Sequence, residues 1–141
     1  MAKEKIIGNI DHVVIAVRSI EKAQPFFSEL LGTEFEEILV NEELGIRSVM
    51  NPGGVELIES TRQGSNIGKF IDRNGEGLYA LCFAVEDIDK AKAKAEEMGI
   101  RIVGGLTIEK GPIKGMKEMW LHPQDNFGVY VMFAQGNPYH P

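Results

Sequence analysis

The chain repeats itself. Ile10–Ala23 (IDHVVIAVRSIEKA) lines up with Leu78–Ala91 (LYALCFAVEDIDKA) at an offset of 68 residues, and the match is more than compositional. Ala16/Ala84, Val17/Val85, Ile20/Ile88, Lys22/Lys90 and Ala23/Ala91 are identical, and Gly32 is answered by Gly99 after a one-residue slip. Two copies of one supersecondary unit are the simplest reading.

Each copy opens with a run rich in β-branched residues, His12–Val17 or Leu81–Val85, which predicts a mostly buried strand. A helix is predicted after each. Ser19 and Asp87 stand where N-caps belong, because their side-chain oxygens can accept from the unpaired backbone N–H groups of a first turn. Ile20, Ala23, Phe26/Phe27 and Leu30/Leu31 then recur at helical spacing, as do Ile88, Ala91, Ala95 and Met98. Gly32 and Gly99 supply the stops. Pro25, about six residues past its cap, removes a helix hydrogen bond and predicts a kink or a short first turn. Three further strands are expected per copy: Glu34–Val40, Ile46–Asn51 and Val55–Glu59, then Arg101–Gly104, Met116–His122 and Val129–Ala134. Pro52-Gly53-Gly54 and His122–Asn126 with Gly128 carry turn chemistry. Ile67–Ile71 predicts a short helix in the connecting segment, and Ile108–Gly115 a loop. The expected organisation is one domain, residues 1–141, made of βαβββ modules at 8–62 and 77–135 with a linker at 63–76.

Composition excludes several function classes. At 141 residues and 43% hydrophobic content the chain can bury a core without staples. Cys82 is the single cysteine and cannot pair within the chain, and the opening MAKEKIIGNI has no apolar stretch of the length a secretory signal needs; cytoplasmic residence is expected. The longest apolar runs fall far short of the roughly 20 residues that span a bilayer. With 15 basic against 21 acidic residues, net −6, no nucleic-acid partner is expected, since phosphate neutralisation dominates such binding.

The βαβββ duplication, with a His in the first strand and a Glu in the fourth, resembles the vicinal oxygen chelate superfamily of glyoxalases, dioxygenases and epimerases. The stretches that carry this are Ile10–Val17, Asn41–Ile46 (NEELGI), Val55–Glu59 (VELIE), Ser65–Leu78 (SNIGKFIDRNGEGL) and Leu121-His122-Pro123 with Phe127-Gly128-Val129. Within that superfamily the chain is most similar to the methylmalonyl-CoA epimerase branch. The resemblance implies an α+β fold in which tandem modules form a curved mixed sheet around a pocket, a homodimer, and a divalent metal (Co, Mn, Zn, Ni or Mg) held by four side chains from the first and fourth strands. Two of those positions are His12 and Glu56. The other two are Ala80 and Met132, so half of the implied ligand set is missing.

The residues themselves leave the choice open. A lone His on an apolar strand is more often a hydrogen-bonded core residue than a ligand. Glu56 in a strand either faces water or, if buried, needs a partner: protonated His12, a metal, or solvent in an open pocket. Two protein donors do not make a normal zinc site. Magnesium or manganese with a chelating substrate would be compatible with so few. Proton transfer beside a thioester needs a base, an acid and a donor for the enolate oxygen. The resemblance puts a carboxylate in the NEELG segment, where Glu43 matches better than Glu42, with Glu56 and His12 as the remaining catalytic candidates. Lys110, Lys114 and Lys117 are candidates for CoA phosphates, with Lys114 and Lys117 preferred. Tyr79, Met119, Trp120 and Met132 are expected to line the pocket; Cys82 shares the strand parity of Ala80 and reads as a small buried hydrophobe. His122 and His140 are poor replacement ligands, the latter in a tail expected to fray. The function expected is enolate-type epimerase or isomerase chemistry on an acyl-CoA or α-carbonyl acid. The alternatives are a glyoxalase-like lyase and a metal-free small-molecule-binding protein that has kept the cavity.

Overall fold

The computed structural model describes residues 3–139. His140, weighed above as a ligand, lies outside them. The element order is β1 (Ile7–Ala16), α1 (Ile20–Leu31), β2 (Leu39–Asn41), β3 (Ile46–Asn51), β4 (Val55–Ser60), α2 (Asn66–Asn74), β5 (Gly77–Val85), α3 (Ile88–Glu97), β6 (Ile102–Thr107), β7 (Lys117–Leu121) and β8 (Val131–Gln135), with a 3-10 turn at Pro123–Asp125. Apart from α2, this is βαβββ twice. None of the described helices is long and apolar enough to cross a membrane.

The chain divides into two compact units, His12–Tyr79 and the remainder, so β1 contributes its first five residues to one and its last five to the other. In the His12–Tyr79 unit the strands run in the order β2-β3-β4-β1. β4 lies antiparallel to β3 and parallel to β1, and Glu56 stands in register with both Met50 and Val14. Val17, Ile20, Val49 and Leu57 form the core under α1, joined by Ala23, Phe27, Phe35 and Val55. Strand side chains alternate, so the face away from α1 carries His12, Val14, Met50, Glu56 and Ile58.

In the other unit the order is β5-β8-β7-β6, with β5 parallel to β8 and the two hairpin pairs antiparallel. Val85, Ile88, Ala91, Ala95, Met119 and Leu121 pack under α3, with Val131 and Phe133 beside them. Ala80, Cys82, Trp120, Met132 and Ala134 take the opposite face by the same alternation.

Both long helices start and stop by the same chemistry. The Ser19 hydroxyl accepts from Lys22 N and the Asp87 carboxylate from Asp89 N and Lys90 N. Gly32 and Gly99 adopt φ of 71° and 74°, where a side chain would be strained. A second anchor is shared. Ile20 N donates to Glu59 Oε1 at 3.0 Å, and Ile88 N to Gln135 Oε1 at 2.8 Å, so the end of each fourth strand supplies the acceptor for its module's helix.

Three expectations need correction. α1 continues through Pro25 without a break. Glu34–Val40 is a strand only from Leu39: Phe35 is drawn into the α1 core and Glu36 N reaches Met50 O at 2.7 Å, which leaves that stretch without a ladder. The C-terminal tail is tied down at Asn137, whose buried side-chain amide donates to the buried Asp11 carboxylate at 2.8 Å.

Candidate functional site

His12 and Glu56 come together. The His12 Nε2 lies 3.7 Å from Glu56 Oε1, with the imidazole almost wholly buried and the Glu56 side chain 13% exposed. β1 and β4 are parallel neighbours, and a residue two positions before Val14 meets one opposite Val14 on the same face. The pair therefore follows from strand register. A carboxylate this far from water is costly alone, and the imidazole is the charge-capable group beside it.

The register also tests the metal positions inside each unit. Val14 pairs with Glu56 in one and Cys82 pairs with Met132 in the other, and Cys82 is the repeat counterpart of Val14. Trp120 likewise pairs with Met132 as Met50 does with Glu56. Met132 is thus the structural counterpart of Glu56, and Ala80, two residues before Cys82, that of His12. Ala80 has no donor atom, and the Met132 thioether suits soft ions rather than Mg or Mn. The residues present do not make the four-donor centre that the superfamily resemblance implies.

Glu43 is exposed in the four-residue turn between β2 and β3. That turn lies at the Ser60 end of β4, four residues beyond Glu56, which at ~3.3 Å per residue is about 13 Å along the strand. Its backbone is held from three sides: Leu44 N donates to Asn41 Oδ1 at 3.0 Å, Thr61 N to Gly45 O at 2.8 Å, and the Arg62 guanidinium to Glu42 O and Glu43 O at 2.6 and 2.9 Å. Arg62 is the residue that sequence reasoning missed. A lone arginine at the start of a polar linker carries no periodic or motif signal.

The residues expected to line one pocket separate by strand parity. Trp120 stacks over Gly104, 3.5 Å from where a Cβ there would lie, and shares the face of Met132. Lys117 does not: it alternates with Trp120 onto the face of Met119 and Leu121, under α3. Tyr79 points the opposite way from Ala80, and its ring meets Phe70 of α2 edge-on at 5.0 Å. By alternation Lys117 and Met119 stand on the face opposite Met132, and Tyr79 on the face opposite Ala80. Lys114 sits exposed in the turn after β6, its N–H closing on Gly111 O at 3.2 Å. His122 is the cap of the 3-10 turn, accepting through Nδ1 from Gln124 N at 3.2 Å.

The chain has relatives among known proteins. Ethylmalonyl-CoA/methylmalonyl-CoA epimerase of Cereibacter sphaeroides is 30% identical over 134 residues, covering 92% of this chain and 99% of that protein. The mitochondrial methylmalonyl-CoA epimerase of Bos taurus is 33% identical over 135 residues, covering 92% of this chain and 75% of its own length. Among solved structures, a variant of Streptomyces coelicolor methylmalonyl-CoA epimerase in complex with 2-nitronate-propionyl-CoA superposes with a TM-score of 0.82 at 30% identity, covering 92% of this chain and 98% of that one. A family model matches residues 11–120, the stretch that runs from the start of the His12 motif to Trp120. The chain belongs to the Glyoxalase/Bleomycin resistance protein/Dioxygenase superfamily.

Proposed function

We propose that this protein moves a proton at the carbon α to an acyl-CoA thioester, as an epimerase or isomerase of the methylmalonyl-CoA class. The observation that carries the reading is the His12–Glu56 pair on the sheet face opposite α1. It gains weight from the bacterial relative that holds 2-nitronate-propionyl-CoA, because a nitronate has the planar anionic shape of an enolate. In this reading Glu43 removes the α-proton, breaking the C–H bond, and the electron pair moves onto the thioester oxygen. The His12 N–H is the donor toward that oxygen, and Glu56, entering as the carboxylic acid, returns its proton to carbon, so that Glu43 ends protonated and Glu56 ionised. The turn that carries Glu43 starts about 13 Å from Glu56 along β4, so the two carboxylates meet a substrate from different ends rather than each other. No step passes through a metal.

The same reading includes a homodimer working in the cytoplasm, and one domain made of the modules at 8–62 and 77–135. A specific observation favours a second reading: Ala80 and Met132 stand where donors are implied, as in a protein that binds a small molecule without turning it over.

Solvent-deuterium incorporation into 2-methylmalonyl-CoA and other acyl-CoA thioesters, followed by mass spectrometry, separates the two. Chelator-treated protein is expected to exchange above the protein-free control, and Glu43→Gln or Glu56→Gln to lower that by about 100-fold or more. Exchange that appears only after cobalt or manganese is added would keep the proton-transfer reading and overturn its metal independence. No exchange under either condition would leave the binding protein.

A further inference from the structure

We propose that Arg62 is the positioning residue for Glu43, clamping the Glu42–Glu43 backbone so that the carboxylate is held toward the site; this rests on the reading of Glu43 as the base. Among the described residues the Glu43 carboxylate makes no hydrogen bond of its own. Its direction therefore comes from its backbone. The guanidinium braces that backbone, adding to the turn's own hydrogen bond from Gly45 N to Glu42 O at 3.2 Å. Its two terminal nitrogens donate to successive carbonyls, Glu42 O at 2.6 Å and Glu43 O at 2.9 Å, a forked geometry that a lysine ammonium cannot reproduce.

Two neighbours show that the turn is shaped around this side chain. Gly45 has φ +69°, and a Cβ on it would come within 2.9 Å of the Arg62 Cγ, Nε and Cζ, so the glycine of the NEELG segment makes room for the clamp. Arg62 is itself fastened. Ser60 Oγ donates to Arg62 O at 2.6 Å and lies 2.6 Å from Ser65 Oγ, the hydroxyl that accepts from Gly68 N and caps α2. The end of β4, the start of α2 and the Glu43 turn thus share one polar corner.

Arg62 is exposed, so its replacement leaves the core untouched. The experiment compares Arg62→Ala and Arg62→Lys with the wild type in the α-proton exchange assay, with and without added guanidinium, alongside amide hydrogen exchange of the turn. A displaced catalytic group loses rate rather than binding. Arg62→Ala is expected to lower kcat by about 10- to 100-fold with KM changed by less than about 3-fold. Guanidinium, but not ammonium, should restore part of the rate, and Arg62→Lys should recover less than half of the loss on a logarithmic scale. The Leu44 and Gly45 amides should exchange faster in Arg62→Ala. Unchanged kcat in Arg62→Ala, a loss confined to KM, or a loss that Arg62→Lys fully repairs and guanidinium does not, would overturn the proposal. A wild type without exchange activity would overturn the assignment of Glu43 as base, while turn amides that exchange at the wild-type rate in Arg62→Ala would overturn the clamp itself.

Discussion

Phe127 is the residue whose local conformation is least expected from its side chain. It has φ 58°, the one described non-glycine residue at positive φ, and its ring is fully exposed. A left-handed backbone costs an L-residue with a Cβ roughly 1–2 kcal/mol, and no burial offsets it here. Asparagine tolerates this region better. Phe127→Asn is therefore expected to raise the stability by about 0.5–1 kcal/mol, read as a higher urea midpoint at unchanged slope. A lower midpoint would mean that the ring makes a stabilising contact in solution. Neither the positive φ of Phe127 nor the hydrogen bonds of Arg62 was legible in the sequence, because no periodicity encodes them. His12 and Glu56 were legible through the superfamily resemblance, and strand register brings them to one face.

At the scale of the element, the ends of strands and helices hold the information that patterning lacks. Runs of β-branched residues placed β3 and β4 within a residue of their observed ends, and caps placed α1 and α3. Where patterning failed, at Glu34–Ile38, tertiary packing of Phe35 outweighed strand propensity. Lys117 and Tyr79 show a related limit: residue type suggests a pocket, while alternation along β7 and β5 sets the face.

Another strand start depends on charge. The Asp125 carboxylate accepts from Arg101 N, Nε and Nη2 at 2.9, 3.0 and 2.9 Å, fixing the residue that enters β6. Those bonds hold its pKa at about 2, against an ordinary 3.8. A carboxylate depressed on folding contributes stability that is fully present above the ordinary value and is lost as the pH falls through the depressed one. Asp125→Asn should therefore be less stable than the wild type at neutral pH, and the difference should vanish as the pH is lowered from 3.8 to about 2. Urea unfolding at a series of pH values checks this. A difference that persists undiminished at the acid end would show that the ion pair is not its source.

At the scale of the whole molecule, the repeat makes Glu59 and Gln135 counterparts, each ending its fourth strand and accepting from the first amide of its module's helix. They are not equal. Glu59 also faces Arg47, whose Nε lies 2.7 Å from Glu59 Oε2 and which pairs with Glu21 as well, whereas Gln135 is neutral. Glu59→Ala removes an acceptor and leaves a partly buried guanidinium short of one carboxylate, for an expected cost of about 2–3 kcal/mol; Gln135→Ala removes the acceptor alone, at about 1–2 kcal/mol. The two residues belong to different compact units, which turns the pair into a test of how the chain folds. If the modules form one cooperative domain, each variant lowers the midpoint of a single shared transition, followed alike by the fluorescence of Trp120 and by far-ultraviolet circular dichroism. If the units unfold independently, Gln135→Ala moves the Trp120 signal and Glu59→Ala leaves it where it was. A single transition is the expected result, because a module of about 60 residues buries a smaller share of its surface than the 141-residue chain and is marginal alone.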